Sequence, residues 1–147
     1  MLRNVRRTNL GMLTKLSYRF YSQNLSPKLY YFEQIKQFVE NPKTNSNKIL
    51  VDVREPNELE EYCMPHSINI PLKSSPEALG MSKEQFEDTF HFPKPNDEHE
   101  LIFFCAKGIR AKTAESIARL YGYKHTGIYT GSIADWLANS GDKIKSK

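Results

Sequence analysis

The spacing of hydrophobic and polar positions changes several times along the chain, and each change predicts an element. Leu101-Ile102-Phe103-Phe104 is a short aliphatic and aromatic run, which predicts a buried strand. Ala114, Ile117, Ala118 and Tyr121 then recur at i, i+3, i+4 and i+7, which predicts a helix stopped at Gly122. Between the two lies only the turn from Cys105 to Arg110. Upstream, Leu29 to Phe32 predicts a short edge strand, and Phe32, Ile35, Phe38 and Val39 form a helical stripe ending at Asn41-Pro42. Pro42 to Asn47 reads as a polar loop. Ile49 to Val53 is apolar enough for a strand buried on both faces, and Glu55 to Leu59 starts a short helix. Ser67 to Ile70 predicts a strand closed by Pro71. Leu72 to Glu100 reads as an excursion over one face of the sheet. It contains a helix opened by Ser82-Lys83-Glu84-Gln85, running through Phe90 and ended by Pro93-Lys94-Pro95. Thr126 to Tyr129 is a last strand, and Ile133 to Leu137 a last helix before Gly141.

Strands alternating with helices predict an α/β domain, a central parallel sheet with helices on both faces, whose ligands bind beyond the strand C-termini. Cys105 lies at that edge. A chain of 147 residues is the length of one domain with a real core. Two cysteines are too few for a disulfide framework and fit a reducing compartment with at least one functional thiol. No apolar run reaches membrane-spanning length.

The net charge of +4 is unevenly placed. Met1 to Tyr21 holds Arg3, Arg6, Arg7, Lys15 and Arg19 and no acid; five of the 21 cations lie there, leaving 16 against 17 acids, a net charge of −1. The basic character therefore belongs to the leader, and a nucleic-acid partner is not expected. Leu2, Val5, Leu13, Leu16 and Phe20 sit at helical spacing among arginines and hydroxyl residues, the composition of a mitochondrial transit peptide. Residues 1–21 are read as that peptide and 22–147 as the mature domain, with the matrix as the expected destination. A disordered basic tail on a cytosolic protein is the other reading of the same composition.

The chemistry concentrates in the Cys105 turn. The first amides of a helix lack partners, and the helix dipole adds positive potential. Lys107 and Arg110 add two cations, so the setting is expected to lower the Cys105 pKa and favour the nucleophilic thiolate. Gly108 allows a backbone turn that a side chain would obstruct. Read from these residues alone, the turn suits a phosphatase, a redox sensor or a sulfurtransferase. His66, His91, His99 and His125 have no metal-ligand spacing, and no metal is expected.

Four signatures then occur in order: Leu50-Val51-Asp52-Val53-Arg54-Glu55-Pro56, Ile68-Asn69-Ile70-Pro71-Leu72, Cys105-Ala106-Lys107-Gly108-Ile109-Arg110-Ala111, and Gly131-Ser132 through Trp136. Together they resemble the rhodanese-like sulfurtransferases, in particular the small single-domain mitochondrial members from fungi. The resemblance implies that Cys105 is the catalytic nucleophile and carries sulfur as a persulfide, without a cofactor. It implies that thiosulfate is the donor and that a small thiol such as glutathione, or cyanide, is the acceptor. Ala106, Lys107, Gly108, Ile109 and Arg110 would bind the substrate, with loop amides pointing at sulfur and Lys107 facing the sulfonate. Arg110 is either an anion contact or a brace paired with a carboxylate, and the brace is favoured. Asp52 and Arg54 would support the loop from behind, or form a purely structural ion pair. Trp136 is assigned to packing, and a monomer with no membrane partner is expected.

Two rivals follow from the resemblance. Cell-cycle tyrosine phosphatases share the scaffold but place five residues between cysteine and arginine; here there are four, a smaller ring suited to sulfur. A non-catalytic module that binds a partner or carries delivered persulfide is the other. The chain also departs from the family where Tyr62-Cys63-Met64-Pro65-His66-Ser67 replaces a stretch that usually holds two glycines and a histidine. Cys63, at the histidine position, is expected to be an inert, half-buried thiol.

Overall fold

The computed structural model describes residues 26–147. The leader assigned to residues 1–21 lies outside the described residues. Strand β1 (Lys28–Tyr30) leads to helix α1 (Phe32–Glu40), then β2 (Lys48–Asp52), the single turn α2 (Pro56–Leu59) and β3 (Ser67–Asn69). Helix α3 (Lys83–Phe90) precedes β4 (Glu100–Phe104), α4 (Ile109–Leu120), β5 (Thr126–Tyr129) and α5 (Ser132–Ala138). All neighbouring strands pair in parallel in the order β1-β5-β4-β2-β3, as the α/β reading expects. Among the described residues no helix is long and apolar enough to cross a membrane.

Strand β4 lies at the centre, and the period-two alternation of its side chains feeds two cores. Leu101, Phe103 and Cys105 face the layer containing Phe86 of α3 and Ala111, Ala114 and Ala118 of α4. Ile102 and Phe104 face Ile35, Phe38 and Val39 of α1 and Ile133 and Trp136 of α5. A strand covered on both faces explains why its sequence is a continuous apolar run. The excursion does cover one face: Phe86 stacks with Phe90 and Phe92 and is fully buried.

Several boundaries move for local reasons. Phe32 opens α1 rather than closing β1, because its ring packs 5.3 Å from that of Trp136. Part of the expected polar loop, Pro42–Asn45, winds into a 3₁₀ turn started by the proline. Helix α4 begins at Ile109, so Arg110 lies in its first turn rather than in the loop, while Tyr121 caps its end and is 45% exposed. Gly122, at φ +94°, supplies the expected stop.

Trp136 is the largest fully buried side chain, and its indole N–H donates to the Tyr62 hydroxyl at 2.8 Å. Gly141 lies against it: a Cβ added there would sit 2.2 Å from the ring. Gly141→Ala is therefore expected to overpack this core and cost about 1–3 kcal/mol. The measurement is a urea unfolding midpoint lowered at unchanged slope.

Candidate active site

Cys105 follows the last residue of β4, and the sheet no longer holds its backbone; the first turn of α5 does. The β4–β5 pairing ends at Phe103 and Ile128. Beyond it the Cys105 N–H donates to the Ser132 hydroxyl at 3.1 Å, and that hydroxyl donates to the Tyr129 carbonyl at 2.9 Å. The N–H groups of Ile133 and Ala134 donate to the carbonyls of Cys105 and Ala106, both at 3.0 Å. One side chain and two consecutive amides thus fix the cysteine on both sides of its Cα. Ser132 is fully buried at φ +54°, a left-handed conformation unfavourable for a residue with a Cβ.

The turn then closes over the sulfur. Gly108 N–H donates to Cys105 Sγ at 3.0 Å, and Cys105 is only 1% exposed. Gly108 has φ +97°, and a Cβ there would sit 2.3 Å from the Thr130 carbonyl oxygen, so both conformation and space demand glycine. Ala106 is half-buried, whereas Lys107 and Ile109 stand in solvent, Ile109 at 78% exposure. The outer wall of the loop is thus a cation beside an apolar side chain.

Arg110 turns to Glu58, 52 residues earlier. Its Nη1 and Nη2 donate to the two carboxylate oxygens at 2.7 and 2.8 Å, a bidentate fork. That hydrogen bonding, ahead of the opposing cost of burial, raises the arginine pKa further and holds the Glu58 carboxyl near 2 rather than 4.5. Glu58 Oε2 also accepts the Glu55 N–H at 2.9 Å, so the same carboxylate starts α2. Glu55 in turn accepts the N–H of Lys73 and the hydroxyl of Ser74, tying the excursion to α2.

Asp52 and Arg54 pair with each other. Arg54 Nη2 and Nε reach the Asp52 carboxylate at 2.7 and 3.0 Å, with Asp52 fully buried. Arg54 also donates to the carbonyls of Glu58 at 3.3 Å and Tyr62 at 2.9 Å. Their connection to the cysteine turn runs through Glu58: Arg54 holds its carbonyl, and its carboxylate holds Arg110. Cys63 is exposed rather than half-buried, because Met64 takes the inward position beside it.

Glu58 and Ser132 are the two site residues that sequence reasoning assigned no role. Glu58 carried only the signal of an acid in a helix first turn, and Ser132 only its place in a signature. Both act through contacts between distant parts of the chain.

The rhodanese-like domain family matches residues 32–139. Mitochondrial thiosulfate sulfurtransferase RDL2 of Saccharomyces cerevisiae is 55% identical over 122 residues, covering 83% of this chain and 80% of that protein. The thiosulfate:glutathione sulfurtransferase of the same yeast is 42% identical over 124 residues, 84% of this chain and 88% of that one. The crystal structure of RDL2 superposes with a TM-score of 0.78 at 54% identity, covering 82% of this chain and 97% of that one.

Two expectations follow from the geometry. Glu58 has a depressed pKa in the folded state, so its stabilising contribution is complete above pH 4.5 and is lost as pH falls toward 2. The unfolding free energies of wild type and Glu58→Gln should therefore differ most above pH 4.5 and converge in acid, as read by urea unfolding across that range. Ser132→Ala removes the acceptor of the buried Cys105 N–H and should cost about 1–3 kcal/mol. Ser132→Gly loses the same hydroxyl but relieves the left-handed strain, and should unfold about 1 kcal/mol later than alanine. An alanine variant as stable as wild type would contradict the clamp. With the four signatures in order, the match over residues 32–139 and the strand-to-helix cysteine turn all in agreement, this chain belongs to the rhodanese-like domain family.

Proposed function

We propose that the chain is a thiosulfate sulfurtransferase that moves sulfane sulfur through a persulfide on Cys105. The observation that carries this reading is the cysteine turn itself: four residues separate Cys105 from Arg110, and the Gly108 N–H already points at the sulfur at 3.0 Å. The names of the yeast relatives support the donor, and one of them supports glutathione as acceptor.

In the first half-reaction the Cys105 thiolate attacks the outer sulfur of thiosulfate. The sulfur–sulfur bond of thiosulfate breaks, and sulfite leaves with its electron pair. Negative charge then rests on the outer persulfide sulfur, inside a turn whose amides are oriented before the reaction begins. In the second half-reaction an acceptor thiolate, or cyanide, attacks that outer sulfur and carries it away, returning Cys105 to the thiolate. No metal or cofactor enters either step.

Lys107, exposed at the outer wall, is the cation placed to meet an incoming sulfonate. Arg110 serves as the brace, since Glu58 engages both terminal nitrogens of its guanidinium. Asp52 and Arg54 support that brace from behind. Residues 1–21 direct the chain to the mitochondrial matrix and residues 22–147 form the mature enzyme, a reading supported by the leader composition and by the yeast relative that is named mitochondrial. The mature domain acts as a monomer on small anionic and thiol substrates, with neither nucleic acid nor membrane as partner.

Purified protein is expected to release sulfite from thiosulfate in the presence of glutathione, and Cys105→Ser to abolish that release. Intact mass after thiosulfate treatment should increase by one sulfur atom, mapping to Cys105. Wild type as inactive as the mutant with every common donor, and no added sulfur, would leave the carrier or binding-module reading in its place.

A further inference from the structure

Helix α4 carries a second feature on the side away from the cysteine turn. Lys112, Glu115, Ser116, Arg119 and Leu120 form one wall of a cleft of about 430 Å³, and Leu29 of β1 and Ile128 of β5 form the other. The volume lies in the range of small-molecule sites. Its apolar surface includes Leu120, 75% exposed, and Leu29, 44% exposed, both at the border of the cleft. We propose that this cleft binds a small amphiphilic anion, an apolar body ending in a carboxylate.

The head-group assignment rests on Arg119. Its side chain is only 11% exposed, yet its sole protein acceptors among the described residues contact Nε: the Glu115 carboxylate and, at 3.1 Å, the Thr126 hydroxyl. The two terminal nitrogens, four N–H donors in a planar fork, have no protein acceptor among the described residues. Neither terminal nitrogen is buried without a partner, so the fork reaches solvent in the cleft, and the anion whose geometry matches it is a carboxylate. Glu115 engages Arg119 through Nε alone: its Oε1 accepts from Nε and, at 2.5 Å, from the Thr126 hydroxyl. Charge agrees, because Lys112, Arg119 and Glu115 together give the cleft a net charge of +1, which one anionic group neutralises.

The body assignment rests on the apolar side chains of both walls. Leu29, Leu120 and Ile128 offer no hydrogen-bonding side chain, so a polar ligand would lose its hydration without replacement. An alkyl or aryl chain gains from the same surface. A cationic or neutral amphiphile would leave the fork unpaired, which sets the expected selectivity.

The test is isothermal titration calorimetry on the full chain with dodecanoate below its micellar concentration. Dodecyltrimethylammonium serves as the charge-reversed control with the same tail. Saturable one-to-one binding of dodecanoate is expected, with the cationic amphiphile at least tenfold weaker. Arg119→Lys keeps a charge for Glu115 but removes the fork, and should weaken dodecanoate about tenfold or more. Leu120→Glu, at a position exposed enough to tolerate it, should weaken binding by a similar factor. Absence of saturable binding, equal affinity for the cationic amphiphile, or unchanged affinity in both variants would overturn the proposal.

Discussion

The fold depends at one point on a backbone junction: the first turn of α5 takes over from the sheet the task of holding the end of β4. A parallel strand ends with polar groups that the ladder no longer satisfies, and a buried end cannot leave them to water. Here the Ser132 hydroxyl and the amides of Ile133 and Ala134 accept and donate in their place. The same three residues begin α5, so Trp136 is brought over the opposite core in the act of fixing Cys105. Position of the Cys105 thiol and closure of a core are therefore one structural event. Ser132 remains in a left-handed conformation because its hydroxyl joins two strand ends at once, a contact that glycine could not make.

Electrostatics plays a more graded part. The Asp52–Arg54 pair is buried, and such pairs seldom add net stability over apolar replacements, although removing one partner strands the other at about 3–5 kcal/mol. Its structural contribution is directional. Arg54 gathers the carbonyls of Glu58 and Tyr62, which sets where α2 stands relative to β2. The Glu58–Arg110 pair is about one-third exposed on each side chain, so solvent screens it and its worth lies near the low end for ion pairs, about 1 kcal/mol or less. A bidentate fork still specifies orientation where it adds little energy, and here it fixes the first turn of α4 against α2.

The parallel sheet, the covered central strand and the cysteine turn were legible in the sequence because each rests on local signals. An unbroken apolar run, a helical stripe and a glycine three residues after a cysteine need no knowledge of distant partners. The boundaries that moved did so through tertiary contacts: Phe32 left the strand for Trp136, and Pro42 wound a loop into a 3₁₀ turn. The partner of Arg110 was expected only as some carboxylate. Nothing within five residues of Glu58 distinguishes it from Glu55, Glu60 or Glu61, and only the folded arrangement of α2 against α4 selects it. Cys63 illustrates the same limit in reverse. Its burial depended on which of two adjacent residues turned inward, and the longer apolar Met64 fills that space better than a thiol.

Helix α4 shows how one element can be bound by opposite demands on its faces. Its inner face is Ala111, Ala114 and Ala118, all buried, and side chains this small let the helix axis approach β4 and β5 closely. That approach is what allows the Gly108 N–H at its N-terminus to reach Cys105 Sγ, since a bulkier inner face would lift the helix start away from the strand end. The outer flank then has to manage the edge where β1 is only three residues long. A short edge strand gives little cover, so Leu29 and Leu120 stay partly in solvent, and the Glu115–Arg119–Thr126 trio seals the boundary with hydrogen bonds instead of packing. The close inner fit that places the sulfur and the unfilled outer cleft are therefore two consequences of seating a small-residue helix against a sheet that is narrow on that side.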